Sequence, residues 1–315
     1  MMKSDTKVAV CSRSFSANPI LRKELLERYS DVTFNDKGLK LSGQSIVDFL
    51  KGHKKAITAL EVINDKVLSK LPDLQIISKY GVGLDMIDME AMQRHGKRLG
   101  WTSGVNRRSV SELVISFSIA LLRHVPVAYR EVLSGKWQQH IGGNLTGRTI
   151  GIIGCGNIGK DLVPLVQAFG CKVIVNDIVS YPDFYLKYNI ESVSIEHLLA
   201  QSDIVTLHVP LDDTTRKILN KKRLEMMKSS AILINIARGA LVDELHLKKM
   251  LMSNRLAAAA FDVFECEPPQ DQELLELPNF LVTPHIGGSS NESILAMGRA
   301  AIEGLDKNDI PNKIK

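Results

Sequence analysis

The sequence predicts an α/β protein of two domains, each built on a doubly wound parallel sheet. Short β-rich runs alternate with amphipathic helical stretches along the chain, which is typical of parallel strands joined by crossover helices. The length of 315 residues suits two domains of ordinary size. A glycine-rich segment at residues 154–159 directly follows a β-rich run, as in the βα turns of such sheets.

Composition and charge argue against several classes of partner. Hydrophobic residues make up 44% of the chain and charged residues 24%, as in chains that fold around a core. The formal net charge of +5 is spread along the sequence without a basic stripe, so we expect no nucleic-acid partner. No apolar run reaches the roughly 18 residues of a membrane span, so we expect no membrane partner.

The cysteines indicate a reducing environment. They are scattered and form no C-x-x-C pair, so the sequence predicts neither a disulfide framework nor a metal site. Because the first six residues are polar and lack the apolar core of a signal peptide, we expect a cytoplasmic protein. The four cysteines are Cys11, Cys155, Cys171 and Cys266.

The first region has the pattern of a small βαβ domain that ends near Gly100. We predict its strands at residues 8–11, 32–34, 56–59 and 76–78, and its helices at 19–29, 43–50 and 65–71. The last helical run, at residues 291–305, is expected to pack back on this region. The predicted domains are therefore a discontinuous first domain, residues 1–103 and 287–315, and a second domain, residues 104–286.

A long apolar helix is predicted at residues 109–124, between the two regions. Ser109 and Glu112 match the capping box that begins many helices. Because the helix is apolar on most sides, most of its surface must be buried, either in the core or in a subunit interface.

After this helix, the sequence predicts a larger sheet with strands at residues 149–153, 172–176, 204–208, 231–235, 257–262 and 281–283.

The glycine-rich segment matches the G-x-G-x-x-G pattern at the point where a strand ends and a helix begins. Gly154 permits a tight turn, Gly156 lets the backbone approach a pyrophosphate, and Gly159 allows close packing of helix and strand. The start of the helix offers free N–H groups to phosphates. Such a turn also occurs without a ligand, but strand, glycines and helix together predict dinucleotide binding.

Asp177 indicates which dinucleotide is bound. It follows the predicted strand 172–176 and lies eighteen residues after Gly159, close to the spacing of the acid that binds a ribose 2′-hydroxyl. A carboxylate at this position repels a 2′-phosphate. The sequence therefore favours NAD over NADP.

Three polar residues, Arg238, Glu267 and His285, each follow a predicted strand of the larger sheet. Because parallel strands end at one edge, these residues can converge there although they are far apart in sequence. A histidine is a suitable proton donor near neutral pH, and a neighbouring carboxylate orients it and favours its charged form. An arginine holds a carboxylate in two-point contact and stabilises developing negative charge. This set suits reduction of a 2-oxo acid.

These motifs together resemble the D-isomer-specific 2-hydroxyacid dehydrogenase family, and within it the D-3-phosphoglycerate dehydrogenase group. The similar stretches are residues 80–85, 106–113, 154–159 and 208–211 and the three segments that carry Arg238, Glu267 and His285. The resemblance implies two Rossmann/flavodoxin-like domains with the active-site cleft between them. It also implies a homodimer formed through the cofactor domain, which makes the helix at 109–124 an interface candidate.

The resemblance also implies site residues. The three segments supply the catalytic residues Arg238, Glu267 and His285. The backbone amides of Val82 and Gly83, with Asn106 and Arg238, would bind a small anionic 2-hydroxy or 2-oxo acid. The further residues implied as NAD contacts are Asn157, Ile158, Val209, Pro210, Ile236, Ala237, Asp262 and Gly288, with Asp262 placed for the nicotinamide carboxamide.

One departure from the phosphoglycerate dehydrogenase pattern leaves the substrate open. That group places an arginine just after the strand matching residues 56–59, whereas residues 59–62 here contain no basic residue. Lys79, Arg107 or Arg108 are the alternative phosphate contacts. The reaction could therefore interconvert 3-phosphoglycerate and 3-phosphohydroxypyruvate, or reduce glyoxylate or hydroxypyruvate. An alternative of another class is an NAD-binding scaffold or corepressor-like protein.

Overall fold

The structure, a computed structural model, describes residues 3–311, which divide into two compact units. Unit 1 consists of the described parts of Met1–Asn106 and Asn291–Lys315, and unit 2 is Arg107–Ser290. Each unit contains one parallel sheet flanked by helices. The predicted α/β class with two doubly wound parallel sheets is confirmed.

Unit 1 has a five-stranded sheet. Its strands are β1 Val8–Val10, β2 Val32–Phe34, β3 Lys55–Thr58, β4 Ile76–Lys79 and β5 Arg98–Gly100. They are all parallel, in the order β2-β1-β3-β4-β5. The helices in this part of the chain are α1 Arg13–Ala17, α2 Pro19–Arg28, α3 Gln44–Leu50, α4 Asp65–Leu68 and α5 Met89–Arg94.

The sheet of unit 1 is covered on both faces. Ala9 belongs to one buried cluster, whereas its neighbours Val8 and Val10 belong to the other. This division follows from the alternation of side chains along a strand. Because both faces are buried, the central positions of the strands are mainly apolar, as is usual in parallel sheets.

Unit 2 has a seven-stranded sheet. Its strands are β6 Thr149–Ile153, β7 Lys172–Asn176, β8 Glu191–Ser192, β9 Ile204–Leu207, β10 Ile232–Asn235, β11 Ala258–Phe261 and β12 Phe280–Val282. Its helices are α6 Arg107–Leu122, α7 Val125–Leu133, α8 Asn157–Ala168, α9 Pro182–Tyr188, α10 Ile195–Gln201, α11 Lys221–Leu224, α12 Glu244–Met252 and α13 Gln272–Leu275, with a 3₁₀ turn at Gly239–Leu241.

The strand order of unit 2 creates a crevice at the centre of one edge. All strands are parallel, in the order β12-β11-β10-β9-β6-β7-β8. The chain moves outward from β6 to β8 on one side and then returns to build β9 to β12 on the other. The connections after β6 and β9 therefore diverge at the carboxyl edge, which is where open α/β sheets bind ligands.

The chain returns to unit 1 through its last helix, α14 Asn291–Gly304. The Ser78 hydroxyl donates to the carbonyl of Ala301 at 2.6 Å. At Gly100, an added Cβ would lie 2.1 Å from the carbonyl oxygen of Gly304, so the backbones of β5 and α14 touch directly. This contact is possible only because neither residue has a side chain.

The predicted strands agree with the structure to within about two residues, but strands β5 and β8 and helices α1, α5 and α7 were not predicted. Helix α5 is capped by Asp88, whose side chain accepts the Ala91 N–H at 2.8 Å. Helix α7 starts after His124, which has a left-handed conformation with φ of 55° and separates α7 from α6. The apolar pattern runs on through this break, so periodicity alone did not reveal it.

The prediction that Ser109 caps the long apolar helix is wrong, because α6 begins at Arg107. The Arg108 guanidinium donates to both oxygens of Asp161 on α8, at 2.9 and 3.1 Å, and fixes the first turn from outside the helix.

Within residues 3–311 no one helix has the length and apolar character needed to cross a bilayer. The pair α6 and α7, bent by 63° at its break, meets that test by length and composition only.

Candidate active site

The candidate site lies at the carboxyl edge of the unit 2 sheet. The glycine turn follows β6, and Asp177 follows β7. Arg238 follows β10, and the segments that carry Glu267 and His285 follow β11 and β12. Because these strands are parallel, all five segments leave the sheet at the same edge.

The three glycines of the turn are required for different reasons. Gly154 has a φ of 98°, and an added Cβ would lie 2.7 Å from the carbonyl carbon of His208. At Gly159 an added Cβ would lie 2.4 Å from the Gly154 carbonyl oxygen, so α8 packs against the turn. At Gly156 an added Cβ would meet nothing within 4 Å, which leaves the space that a pyrophosphate needs.

Asp177 is held beside this turn. One carboxylate oxygen accepts the Cys155 N–H at 2.6 Å, and the other accepts the Val179 N–H at 2.8 Å. Burial, together with the Asp177 charge, raises the pKa of the Cys155 thiol to about 11, so the thiol stays protonated at neutral pH. The Lys160 ammonium lies 3.3 Å from the ring centroid of Tyr181, which adds a cation–π contact next to the turn.

The structure brings His285 and Glu267 together. Nδ1 of His285 lies 2.9 Å from Oε2 of Glu267, while Oε1 of Glu267 accepts the Phe264 N–H at 3.1 Å. Both side chains are about half exposed. Glu265 is a second carboxylate in the same segment, two residues earlier, and it pairs instead with Arg216 at 3.2 Å. Glu267 is therefore the carboxylate that orients the imidazole.

Asp262 organises the turn that carries His285. Its Oδ1 accepts the Thr283 hydroxyl at 2.5 Å and the Ile286 N–H at 2.7 Å, and its Oδ2 accepts the Gly287 N–H at 2.7 Å. The Asp262 carbonyl accepts the His285 N–H at 2.9 Å. These bonds support His285 in a left-handed conformation with φ of 55°, which is costly for a residue with a Cβ.

This arrangement was not anticipated from the sequence, which assigned Asp262 to the cofactor. Asp262 is only 1% exposed, and the three hydrogen bonds that its side chain accepts within residues 3–311 are all from the turn. A carboxylate has about four acceptor positions, so a further contact through Oδ2 is chemically allowed. The carboxamide contact stays a prediction, and the supporting role in the turn is the observed one.

Arg238 is positioned by the end of β10. The buried Asn235 side chain donates to the Arg238 carbonyl at 2.9 Å and accepts the Ala237 N–H at 3.1 Å. At Gly239 an added Cβ would lie 1.9 Å from the carbonyl carbon of Phe264. The loop that carries Arg238 therefore packs directly against the segment that leads to Glu267. Asn235 was missed because nothing distinguishes it in the sequence from a polar strand end.

His208 is a second histidine at this edge, but it is unsuited to proton transfer. Burial lowers its pKa to about 3, so the ring is neutral at physiological pH. Its Nε2 lies 3.0 Å from the Thr206 hydroxyl, whereas the buried Nδ1 has no partner in the part of the chain that the structure describes. His285, rather than His208, is the histidine available as an acid.

The predicted substrate contacts Val82, Gly83 and Asn106 belong to unit 1. Val82 and Gly83 lie in the loop between β4 and α5 and are partly buried. The Asn106 side-chain oxygen is buried and has no hydrogen-bond partner among residues 3–311.

No three His, Cys, Asp or Glu side chains within residues 3–311 lie close enough together to hold a metal ion.

The remaining predicted cofactor contacts lie around the same edge of unit 2. Each belongs either to a segment that directly follows a strand or to the first turn of α8. They are Asn157 and Ile158 on α8, Val209 and Pro210 after β9, Ile236 and Ala237 after β10, and Gly288 after β12. Their contacts with NAD stay predictions.

A doubly wound sheet with a glycine turn, a strand-end aspartate and a paired histidine at one edge defines an NAD-dependent oxidoreductase of the α/β class. The NAD-binding domain of the D-isomer specific 2-hydroxyacid dehydrogenases matches residues 115–287. The chain belongs to the D-isomer specific 2-hydroxyacid dehydrogenase family, and NAD is its cofactor.

Two relatives and one solved structure illustrate the similarity. A hydroxypyruvate reductase from Thermotoga maritima is 34% identical over 293 residues, which cover 91% of this chain and 92% of that protein. A D-3-phosphoglycerate dehydrogenase from Methanocaldococcus jannaschii is 37% identical over 249 residues, which cover 76% of this chain and 47% of that protein. The chain thus matches about half the length of the second relative.

The solved structure is a D-isomer specific 2-hydroxyacid dehydrogenase from a Polaromonas species. It superposes on this chain with a TM-score of 0.88 at 29% sequence identity, and the alignment covers 96% of both chains. The similarity therefore extends to both units and is not limited to the NAD-binding domain.

The Asp262 contacts lead to a prediction for Asp262→Asn. The amide NH₂ of asparagine would face an N–H or O–H donor of the turn, so the His285 imidazole should be displaced. We expect kcat for 2-oxo acid reduction to fall about 10- to 100-fold, with a lower thermal midpoint. Asp243→Asn is the matched control, because Asp243 caps α12 by accepting the His246 N–H. An unchanged kcat in Asp262→Asn would contradict the supporting role.

Proposed function

We propose that the chain uses NADH to reduce a small, unphosphorylated 2-oxo acid, such as hydroxypyruvate or glyoxylate, to the D-2-hydroxy acid. The observation that carries this proposal is the 2.9 Å contact of His285 with Glu267 at the sheet edge that also bears the glycine turn. This contact supplies an oriented proton donor where a nicotinamide would lie.

The roles of the residues follow from this geometry. Bound NADH supplies the hydride that the substrate carbonyl carbon accepts. With Nδ1 donating to Glu267, His285 presents Nε2–H and transfers that proton to the carbonyl oxygen, which becomes the hydroxyl. The Arg238 guanidinium holds the substrate carboxylate and stabilises negative charge on the carbonyl oxygen. Because His285 is half exposed, the imidazole can be reprotonated from solvent.

Residues after β3 support an unphosphorylated substrate. Glu61 lies there, and its carboxylate accepts the Ala59 N–H at 2.6 Å. The exposed Leu60 and this anion replace the cation that a phosphate would require. The Lys79 ammonium nearby donates to the Ala59 carbonyl. The nearly full-length match to a hydroxypyruvate reductase also supports this choice.

The division of work between the units is part of the proposal. Unit 2 holds NAD at the edge that carries the glycine turn and the other predicted cofactor contacts. Unit 1 binds the substrate carboxylate through the amides of Val82 and Gly83, with Asn106 as a further contact. The buried, unpartnered oxygen of Asn106 supports a polar ligand or water at that position.

We also propose a homodimer, but its interface differs from the helix predicted at residues 109–124, which corresponds to α6. The α6 residues Val110, Val114, Phe117 and Leu121 are buried inside unit 2, so they are not available to a partner. The exposed apolar side chains lie instead on α7 and the segment after it. They are Val125, Tyr129, Val132, Leu133, Trp137 and Ile141.

Two contacts tie the segment after α7 back to α6 and α7. The His140 ring bonds to Glu131 on α7 at 2.5 Å, and the Gly143 N–H donates to the Leu122 carbonyl at 2.9 Å. Six large apolar side chains are exposed within residues 125–141, and exposed apolar patches often mark contacts between proteins. A second copy of the chain would remove them from water.

The proposed chemistry predicts the behaviour of two variants. His285→Ala removes the proton donor, and we expect kcat/KM for hydroxypyruvate or glyoxylate to fall about 10²- to 10⁴-fold. Arg238→Lys should also lose at least about 10²-fold, because an ammonium cannot make the planar two-point contact. The measurement is NADH oxidation across a panel of 2-oxo acids that includes 3-phosphohydroxypyruvate.

His197→Ala is the control, because His197 is exposed in the first turn of α10 and belongs to none of the segments that carry the predicted catalytic or cofactor residues. Normal turnover in His285→Ala would contradict its assignment as the acid. A preference of the wild-type enzyme for 3-phosphohydroxypyruvate would contradict the unphosphorylated substrate.

The Asp177 geometry predicts the cofactor preference. Asp177→Ala removes the acceptor for the ribose 2′-hydroxyl and the charge that repels a 2′-phosphate. We expect KM for NADH to rise about tenfold, with a shift of the kcat/KM ratio towards NADPH. Asp183→Ala, an exposed carboxylate on α9, is the control. An unchanged ratio of the two cofactors would count against this assignment.

The dimer surface is tested by Leu133→Glu, which places a charge in the exposed apolar patch. We expect a shift from dimer to monomer in sedimentation velocity at micromolar concentration, because a buried unpaired carboxylate is costly. Leu186→Glu is the matched control, since Leu186 is exposed on α9 outside the patch. A monomeric wild-type protein would contradict the homodimer.

A further inference from the structure

We propose that Trp101 is a positioning residue that turns the Gly83 N–H towards the substrate carboxylate. This inference rests on the proposed function, in which the loop containing Val82 and Gly83 binds that carboxylate. The proposed role of Trp101 explains why the loop has this orientation. Neither the family match nor the sequence pattern supplies that explanation.

The loop is tied to the sheet of unit 1 at both ends. At its start, the Tyr80 N–H donates to the Thr58 carbonyl at 2.7 Å. At its end, the Ile87 N–H donates to the Leu84 carbonyl at 2.9 Å, and the Asp88 N–H donates to the Ile63 carbonyl at 2.8 Å. Residues 81–83 between these bonds would otherwise be free to rotate about their backbone dihedrals.

One side chain fixes this middle part. Nε1 of Trp101 donates a hydrogen bond to the Val82 carbonyl at 3.0 Å. Trp101 directly follows β5 and packs its ring against the same buried cluster as Leu84. The indole has only two side-chain torsions and one donor, so a packed ring holds its N–H in a single direction.

The planarity of the peptide bond carries this constraint to the next residue. In a trans peptide unit, the carbonyl of one residue and the N–H of the next point in opposite directions. Because the Val82 carbonyl points at Trp101, the Gly83 N–H must point away from Trp101. The indole therefore determines the direction of a donor that it does not touch.

The loop has the character of an anion site. Among residues 3–311, the N–H groups of Val82 and Gly83 donate to no acceptor within the protein, although both residues are partly buried. Gly81, with φ of 126°, provides the turn that exposes them, and an added Cβ there would lie 3.6 Å from Cε of Lys79. Successive free amides beside a lysine side chain favour a carboxylate.

The test replaces the donor and keeps an aromatic ring. In Trp101→Phe the Val82 carbonyl loses its partner, so the Gly83 N–H is no longer held in the binding direction. We expect KM for hydroxypyruvate or glyoxylate to rise about 3- to 10-fold, as for the loss of one hydrogen bond. KM for NADH and kcat should change less than about twofold. The inhibition constant of oxamate, a non-reducible 2-oxo acid analogue, should rise in parallel with the substrate KM.

Two further variants separate positioning from general loss of structure. Trp101→His retains a ring N–H and should recover part of the substrate KM that Trp101→Phe loses. Phe169→Leu is the control, because Phe169 is an exposed aromatic residue at the end of α8, outside the candidate site and the proposed dimer surface. It should leave the substrate KM unchanged.

The outcomes distinguish this inference from the function on which it rests. Substrate KM and oxamate inhibition unchanged in Trp101→Phe, with normal wild-type turnover, would overturn the Trp101 role and leave the proposed function intact. Equal increases in the KM values of substrate and NADH would also overturn it, because they would indicate a general structural effect. No wild-type turnover of any 2-oxo acid would overturn both proposals.

Discussion

The carboxylate of Asp262 is the interaction on which the candidate active site depends. It accepts hydrogen bonds from the residues on both sides of His285, and its own carbonyl accepts the His285 N–H. Together these bonds offset the cost of the left-handed backbone at His285. Without this conformation, the imidazole would not meet Glu267. His285, the proposed acid, is thus positioned by a carboxylate that is almost fully buried.

The parallel sheet of unit 2 explains how distant segments form one site. Each strand ends at the same edge, so the chain passes that edge after every crossover helix. Residues from the connections after β10, β11 and β12 can therefore meet without any long loop. The strand order also places the glycine turn after β6 next to the connection after β9. A cofactor bound at the turn would extend along the edge towards the paired histidine.

Much of this arrangement could be predicted from the sequence. The apolar strands were predicted closely, whereas β5 and β8, which contain polar residues, were not. Strand, glycine and acid spacing indicated the dinucleotide site. The pairing of Glu267 with His285 was predicted from their places after two strands and from the family resemblance, which favoured Glu267 over Glu265. What could not be predicted depends on contacts between distant residues. Asp161 sets the start of α6, Asp262 bonds to a turn more than twenty residues away, and the Trp101 indole reaches back to Val82.

The close packing at Gly239 links two segments of the site that the sequence separates. There is no space for even a methyl group between this residue and the backbone at Phe264. Any larger residue at Gly239 would displace both the loop that carries Arg238 and the segment that leads to Glu267. Reshaping either segment therefore displaces the other. The loop of unit 1 is anchored independently, through Tyr80, Val82 and Asp88, so a change there leaves this close packing intact.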